Sequence, residues 1–353
     1  MTYFMTLALF AIFLLAFGGV QGRTLAHRPG LANTTQGGRI YDCVDFYEQP
    51  AFSHPSLKHL IPKERQNSAL SKKVKFNKKD GCPSGTVPIA SSTGDPPLHL
   101  IPAQVHCYAV VRTKLDGSNR KFFGTSAHES VNKPDVTGYQ WSTSRFKLWV
   151  GDESIIAGWA VFPDYFKDHE AHLFVIYTNG VSHCFNTDCP GFVQLSSQLP
   201  LGVVPDRYSE IGGQQVFWNI SIELDKSTGN WHLYLTSPTI SKEEIGYWPG
   251  NLFKQLKNAV AQVEWGGEIN DPGAANPAPE MGSGERPGET GTGNYASFFS
   301  QITVIDENSN HVEPQGTEEF NDCPDLYFID DMGNQGGYEG RIIFYGGKQT
   351  YRS

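Results

Sequence analysis

The chain has 353 residues, a formal net charge of −9, 37 glycines, 22 prolines and 12% aromatic residues. This length allows one large or two modest domains, and the many aromatics, glycines and prolines favour short strands and turns over long helices. Residues 23–97 carry 11 Lys and Arg against 6 Asp and Glu, whereas residues 98–353 carry 17 against 31. So acidic a body argues against nucleic-acid binding. The basic segment is expected either to dock on the acidic body or to form a solvated linker.

Residues 1–22 contain an apolar run from Met5 to Val20 that ends in small residues. The run is short for a membrane span, and Val20 and Gly22 have the spacing of a signal-peptidase site. We therefore predict a signal peptide cleaved near Gly22. No basic residue precedes the run, so an uncleaved anchor is the alternative. No second apolar stretch is long enough to span a bilayer, so no membrane association is expected after cleavage.

Export would permit disulfides. Two pairs of cysteines are close enough in sequence to be candidates, Cys184 with Cys189 and Cys43 with Cys82, but connectivity does not follow from sequence. Glycosylation sequons begin at Asn33 and Asn219. We expect a secreted protein of the extracellular space or cell wall, with the vacuole as the alternative.

Residues 23–97 show few regular patterns and end in the loop-like stretch SSTGDPP, which places a boundary near residue 97. Beyond it, alternation of period two dominates. The clearest strand is Gln215–Leu224, and 225–229 is a hairpin loop leading to a second strand at Asn230–Thr236. Further strand candidates are Ala109–Lys114, Arg145–Val150, Ala157–Phe162, His172–Thr178, Phe298–Ile305 and Arg341–Tyr345.

One segment has helical spacing, because Asn251 can cap a run in which Leu252, Leu256, Val260 and Val263 recur. A long Gly- and Pro-rich loop follows at residues 271–294. Many strands with one short helix predict a mainly β fold, an antiparallel β-sandwich of jelly-roll type.

Several segments resemble the plant neprosin family. YDCVDFYEQPAFSHPSLKHL (41–60) and CPSGTVPI (82–89) are similar to its activation peptide. The segments similar to its catalytic domain are AGWAVFP (157–163), CFNTDCPGFVQ (184–194), GNWHLYL (229–235), IGYWP (245–249), EWGGEI (264–269) and MGSGERP (281–287). The resemblance covers nearly all of the chain after the signal peptide.

The resemblance implies three parts: a signal peptide (1–22), an activation peptide (23–97) that is removed in acid, and a peptidase domain (98–353). It implies a proline-directed endopeptidase that uses two glutamates and water, without a metal or another cofactor. Disulfides that join Cys43 to Cys82 and Cys184 to Cys189 also belong to the family pattern. The expected partners are a proline-rich peptide or protein and the protein's own pro-segment.

Peptide hydrolysis by two carboxyls needs one ionised group as base and one neutral group as acid, and mutual repulsion provides both states. Glu268 matches the second family glutamate, but the position of the first holds Ile156, which cannot ionise. Glu153 is a candidate stand-in. Positions 153 and 156 of an extended strand point to opposite faces, however, so rescue would require a bulge.

Other sequence features leave alternatives open. Trp159 and Ser283 are candidates to line the substrate cleft. The family's final cysteine is missing, so Cys323 is either free or paired with Cys107. Asp168, His169, Glu170 and His172 lack the spacing of an HExxH metal site and are interpreted as a polar turn. Three hypotheses follow: an acid-acting prolyl endopeptidase, a pseudo-peptidase that binds proline-rich chains, and a β-sandwich that binds cell-wall polymers or carbohydrate.

Overall fold

The computed structural model describes residues 40–62, 74–75, 80–91, 105–115, 117, 120–272, 277–288 and 295–348. The predicted signal peptide, the Asn33 sequon and the boundary near residue 97 lie outside these residues. Within them, no helix is long and apolar enough to span a membrane.

The described part of the chain is built mainly from strands. One α-helix, α1, spans Pro163–Phe166, and 3-10 turns span Phe46–Glu48, Pro50–Ser53, Lys58–Leu60 and Gly250–Leu252. The strands are β1 (Tyr41–Asp45), β2 (Val74–Lys75), β3 (Thr86–Ala90), β4 (Val105–Thr113), β5 (Gly124–Ser130), β6 (Trp141–Val150), β7 (Glu153–Val161), β8 (His172–Asn179), β9 (His183–Phe185), β10 (Val193–Gln194), β11 (Phe217–Asp225), β12 (Asn230–Ser237), β13 (Ile240–Trp248), β14 (Gln262–Asp271), β15 (Ser297–Ile305), β16 (His311–Val312), β17 (Thr317–Asn321), β18 (Phe328–Asn334) and β19 (Arg341–Gly346).

The strands form three antiparallel sheets. A small sheet has the order β2-β1-β3, a nine-stranded sheet has the order β10-β13-β12-β11-β5-β15-β19-β18 with β16 beside β15, and a seven-stranded sheet has the order β17-β4-β14-β6-β7-β8-β9. The two large sheets pack face to face. The Trp265 indole N–H on one sheet donates to Thr125 Oγ1 on the other at 3.0 Å, and the rings of Phe146 and Phe299 meet edge to face at 5.1 Å. The predicted antiparallel β-sandwich is confirmed.

Alternation along the strands sends one set of side chains into the space between the sheets. On β11 and β12 these are Trp218, Ile220, Ile222, Trp231, Leu233 and Leu235, all at most 3% exposed. The hairpin that joins β11 to β12 turns at residues 225–229, as predicted. Asn219 is half-buried on the other side of β11, where its Oδ1 accepts a hydrogen bond from Ser126 Oγ at 3.2 Å.

The predicted helix after Asn251 is wrong. The segment forms one 3-10 turn at Gly250–Leu252 and then runs irregularly to β14. Its apolar residues are buried as expected, with Leu256 at 0% and Val260 at 1% exposed. The N–H groups of residues 254, 255 and 256 do not form helical hydrogen bonds, because they donate to the carboxylate of Glu153 on β7. A distant carboxylate therefore replaces the helix that local spacing indicates.

Three disulfides are present. Cys43–Cys82 and Cys184–Cys189 are paired as the family resemblance implied. The open alternative at Cys323 is settled in favour of a bond to Cys107, with a Cα–Cα distance of 5.6 Å and a sequence separation of 216 residues. This bridge fixes the segment after β17 to β4, so the edge of the seven-stranded sheet is covalently closed.

Candidate active site

A cleft of about 320 Å³ lies on the outer face of the seven-stranded sheet. The residues of β6 that face it alternate with those that face the core, so that Trp141, Thr143, Arg145 and Lys147 all point outward. One side of the cleft is apolar and is formed by Trp141, Ile156, Phe174 and Ile176. The other side is polar and contains His106, Tyr108, Arg145 and Glu268.

Glu268 lies on β14 at the polar side, opposite Thr143 of β6. Its Oε1 is 2.5 Å from His106 Nε2, and its Oε2 accepts a hydrogen bond from Arg145 Nε. Burial alone would raise the pKa of Glu268. The charge of Arg145 and the hydrogen bond and charge of His106 outweigh burial and lower that pKa to about 2. Glu268 is therefore an ionised carboxylate with both oxygens occupied.

Arg145 connects two carboxylates beneath the cleft. Besides Glu268 it pairs with Glu264, whose Oε1 is 2.8 Å from Arg145 Nη1, and only 2% of the arginine side chain is exposed. The guanidinium carbon lies 5.4 Å from the centroid of the Tyr108 ring. Burial opposes the charge of Arg145, but Glu268 and Glu264 prevail and raise its pKa above the ordinary arginine value. Arg145 is thus permanently charged.

Ile156 faces the same cleft from β7, opposite Lys147 of β6. Arg145 lies between Thr143 and Lys147 on β6, so it separates the neighbourhood of Glu268 from that of Ile156. Burial, with a smaller effect of Arg145, lowers the pKa of Lys147. A lysine, not a second carboxylate, therefore stands next to the position that the resemblance assigns to the first glutamate.

Glu153 points away from the cleft. It is 1% exposed, and its Oε1 accepts from the N–H of Lys254 at 2.7 Å while Oε2 accepts from those of Gln255 and Leu256 at 2.8 Å. The pairing of β7 with β6 is regular from residue 153 to residue 161, so no bulge turns Glu153 towards Ile156. The stand-in hypothesis is therefore corrected: Glu153 holds the segment after β13 in place.

The two residues predicted to line the cleft do not. Trp159 is fully buried between the sheets, where its indole N–H donates to the carbonyl of Ser130 at 2.8 Å. Ser283 lies in a segment that packs on the core side of β14, since Met281 occupies the space that a Cβ on Gly267 would need. Its Oγ accepts a hydrogen bond from the N–H of Glu285. Odd-numbered residues of β7 face the core, and this alternation is the reason for the correction at Trp159.

Sequence reasoning missed His106, Tyr108, Arg145 and Lys147. Arg145 and Lys147 carried a usable signal, because two cations at alternate positions of a predicted strand share one face. His106 carried none, since only the pairing of β4 with β14 brings it to Glu268.

Two sets of possible metal ligands among the described residues make other contacts. His172 is fully buried, with Nε2 2.7 Å from Asp168 Oδ1 and Nδ1 2.8 Å from the carbonyl of Gly202. Cys107, Asp322 and Cys323 form the one group there with metal-like spacing, and both cysteines belong to a disulfide. Asp168 and His172 thus pair with each other at the start of β8, and the histidine of this pair is fully buried.

A further carboxyl, Glu129 of β5, is completely buried between the sheets. Neither of its oxygens has a hydrogen-bond partner of good geometry. Burial raises the pKa of Glu129 well above its ordinary range, and an interaction with Ser144 offsets this only in part. The unfolded chain ionises this group above about pH 4.3 while the folded protein keeps it neutral, so it reduces stability as the pH rises.

Glu129→Gln removes this ionisation from both states. We expect the melting temperature of the variant to exceed that of the wild type by a few degrees at pH 8, with a difference that shrinks towards pH 4. Melting curves at both pH values, with the exposed Glu318→Gln as control, measure the effect. A difference that is equal at the two pH values would contradict a neutral Glu129.

A family model described as Neprosin matches residues 138–348. Among solved structures, the chain is similar to scytalido-glutamic peptidase with a transition state analog inhibitor, at 9% identity and a TM-score of 0.39, over 69% of this chain and 98% of that chain. It is also similar to SCP-B, a member of the eqolisin family of peptidases, in a complex with the tripeptide Ala-Ile-His. That match has 9% identity and a TM-score of 0.36, again over 69% of this chain and 98% of the other.

The Neprosin match begins just before β6 and ends just after β19, so it includes both Ile156 and Glu268. It spans more than half of the chain. The chain therefore belongs to the Neprosin family.

Proposed function

We propose that this protein binds extended, proline-containing peptides in the cleft of the seven-stranded sheet and does not hydrolyse them through a pair of glutamates. The observation that carries the proposal is Ile156, an apolar side chain at the cleft position where the family resemblance implies the first glutamate. We also propose that the protein is exported, which the three disulfides support. We propose that it is made as a proprotein, because residues 41–60 and 82–89 resemble an activation peptide.

The charge state of Glu268 supports the loss of two-carboxyl chemistry. Of the described residues that line the cleft, Glu268 is the one carboxylic acid. A shared proton requires two close carboxyls that repel each other, whereas Glu268 is held ionised by Arg145 and His106. Its pKa of about 2 makes it a weak base for water and an unsuitable acid for the leaving nitrogen.

The shape and chemistry of the cleft support peptide binding. Its apolar side, with Trp141 and Phe174 beside Ile156 and Ile176, is suited to proline rings. Proline-rich chains dock in aromatic-lined grooves at low entropic cost, because their extended conformation is already formed. The hydroxyl of Tyr108 on the opposite side offers a donor for a peptide carbonyl.

The test compares wild type, Glu268→Gln and Ile156→Glu on a quenched proline-containing peptide from pH 3 to pH 7. We expect wild type and Glu268→Gln to be equally inactive and the peptide to bind to both. A carboxyl at position 156 is expected to raise cleavage above wild type, because one acid–base group contributes on the order of 10²–10⁴ in rate. Wild-type cleavage as fast as that of Ile156→Glu would overturn the proposal, and binding of wall polysaccharide without peptide would favour the carbohydrate hypothesis.

A second candidate is hydrolysis by His106 with Glu268, and the 2.5 Å contact between them favours it. A carboxylate that orients an imidazole is the arrangement by which many hydrolases activate water or a hydroxyl. This candidate predicts wild-type cleavage that both His106→Asn and Glu268→Gln abolish, while Ile156→Glu changes it little. The same assay therefore distinguishes the two candidates.

A further inference from the structure

The strand β4 lies next to the edge of the seven-stranded sheet, and its two sides are paired over different lengths. On one side, β14 pairs with β4 from Val105 to Arg112. On the other side, the edge strand β17 pairs with β4 only from Ala109 to Thr113. Residues 105–108, here called the cleft segment, therefore have no second strand partner in the part of the chain that the structure describes.

The cleft segment carries two of the polar residues of the candidate site. His106 and Tyr108 both line the cleft, and the centroids of their rings lie 4.7 Å apart. The ring of His106 meets that of Trp141 edge to face at 5.4 Å, and its Nε2 is 2.5 Å from Glu268 Oε1. A displacement of this backbone would therefore break the contact of His106 with Glu268 and misplace the hydroxyl of Tyr108.

Two side chains from beyond β17 replace the missing strand partner. Continued by two residues, the register of β17 places Asp322 opposite Tyr108 and Cys323 opposite Cys107. Asp322 Oδ1 accepts a hydrogen bond from the backbone N–H of Tyr108 at 2.7 Å, so a carboxylate stands where a strand carbonyl would. The disulfide joins Cys323 to Cys107 at a Cα–Cα distance of 5.6 Å, and opposite residues of antiparallel strands are about 5.5 Å apart.

The disulfide attaches the cleft segment from its core side. Cys107 lies between His106 and Tyr108 in the strand, so its side chain points to the opposite face of the sheet. There it is fully buried in the main hydrophobic core. The disulfide thus holds the backbone between two cleft residues without occupying the cleft.

Residues 321–327, here called the anchor turn, are themselves held in place. The carbonyl of Cys323 accepts a hydrogen bond from the N–H of Tyr327 at 3.0 Å, and Asn321 Nδ2 donates to the carbonyl of Tyr327 at 2.6 Å. Tyr327 is fully buried, and its hydroxyl donates to the carbonyl of Pro279 at 2.7 Å. The anchor turn is therefore fixed to the sandwich by contacts that do not involve β4.

We infer that Asp322 and the Cys107–Cys323 disulfide are positioning residues of the cleft, which hold His106 and Tyr108 in the geometry that binds the peptide. They do not touch the ligand and act through the backbone of β4. The inference rests on the proposed function for its ligand, although the contact of His106 with Glu268 is present without one. Loss of either attachment lowers the fraction of molecules with this geometry, and the apparent affinity falls by the same factor.

Cys323→Ser tests the disulfide and leaves Cys107 as a small buried side chain, which a core tolerates. We expect the pKa of Glu268, about 2 in the wild type, to rise, because the hydrogen bond and charge of His106 contribute to lowering it. NMR titration of the Glu268 carboxyl carbon measures this shift. Affinity for a proline-containing peptide, measured by calorimetry, should fall at least about tenfold.

Ile222→Ala is the control for a general loss of stability, since Ile222 is fully buried on β11 of the other large sheet. Both variants are measured where circular dichroism shows them to be folded. An unchanged pKa of Glu268 in Cys323→Ser, or an equal rise in Ile222→Ala, would overturn the inference. If the wild type binds no peptide, the proposed function fails, whereas the titration of Glu268 still decides on the positioning role.

Asp322→Ala tests the second attachment with the disulfide intact, and the exposed position of Asp322 favours folding of the variant. We expect the N–H of Tyr108 to exchange with solvent at least about tenfold faster than in the wild type, because it loses a charged acceptor. Asp325→Ala is the matched control, since Asp325 is an exposed acid of the same turn. Equal exchange of the Tyr108 N–H in the two variants would also overturn the inference.

Discussion

Arg145→Leu is expected to lower the free energy of unfolding by about 3–5 kcal/mol, the cost of removing one partner from a buried ion pair. The arginine side chain is 2% exposed and faces Glu264 and Glu268, so its loss leaves two largely buried carboxylates without their cation. Urea unfolding at pH 7 measures the effect. Arg112→Leu is the control, because Arg112 pairs with Glu318 at a partly exposed site on the same sheet, where such pairs contribute about 0–1 kcal/mol.

The difference in unfolding free energy between wild type and Arg145→Leu is expected to depend on pH. The pKa of Glu268 is lowered to about 2 in the folded protein, so its ion pair stabilises the fold fully above the ordinary carboxyl range. That contribution is lost as the pH falls towards 2. The difference between wild type and Arg145→Leu should therefore be largest at pH 6–7 and shrink in acid. A difference that grows as the pH falls to 3 would contradict an ionised Glu268.

Glu153→Ala is expected to destabilise the protein by roughly 3–5 kcal/mol, because three backbone N–H groups lose a buried, charged acceptor. Glu153→Gln keeps one acceptor oxygen, so its stability should fall between that of Glu153→Ala and that of wild type. Thermal and urea unfolding measure both, and Glu318→Ala serves as the exposed control.

Peptide binding separates this structural role from a role in the cleft. Folded Glu153→Gln should bind a proline-containing peptide as wild type does, since the side chain lies on the core side of β7. If that variant lost binding at full stability, the assignment of Glu153 to the scaffold would be wrong.

Strands were predictable from sequence where one face is buried. On β11, apolar residues at every second position match the period of a strand and not that of a helix. The hairpin loop after β11 contains a glycine. The segment after Pro249 was not predictable, because Leu252, Leu256 and Val260 are buried at helical spacing without a helix. Its hydrogen bonds go to Glu153, about a hundred residues earlier, and no local pattern contains that information.

Only those residues of the candidate site that belong to a recognisable motif or strand pattern could be predicted from the sequence. The WGGE motif led to Glu268, and the alternation of β7 correctly indicated that Glu153 and Ile156 face opposite ways. The same rule, applied to Trp159, would have placed it in the core. The partners of Glu268 come from β4 and β6, and sheet pairing at such sequence separations does not follow from a single sequence.

The floor of the cleft has a consequence for ligand selection. Arg145 and Lys147 stand beside Glu264 and Glu268, so two basic side chains face two carboxylates in the floor of the cleft, although residues 98–353 as a whole carry an excess of acid. An uncharged peptide that binds on this floor displaces few counterions, so its affinity should change little between 0.05 and 0.5 M NaCl. A strongly basic peptide would instead be drawn to the outer acidic surface, with an affinity that falls steeply with salt.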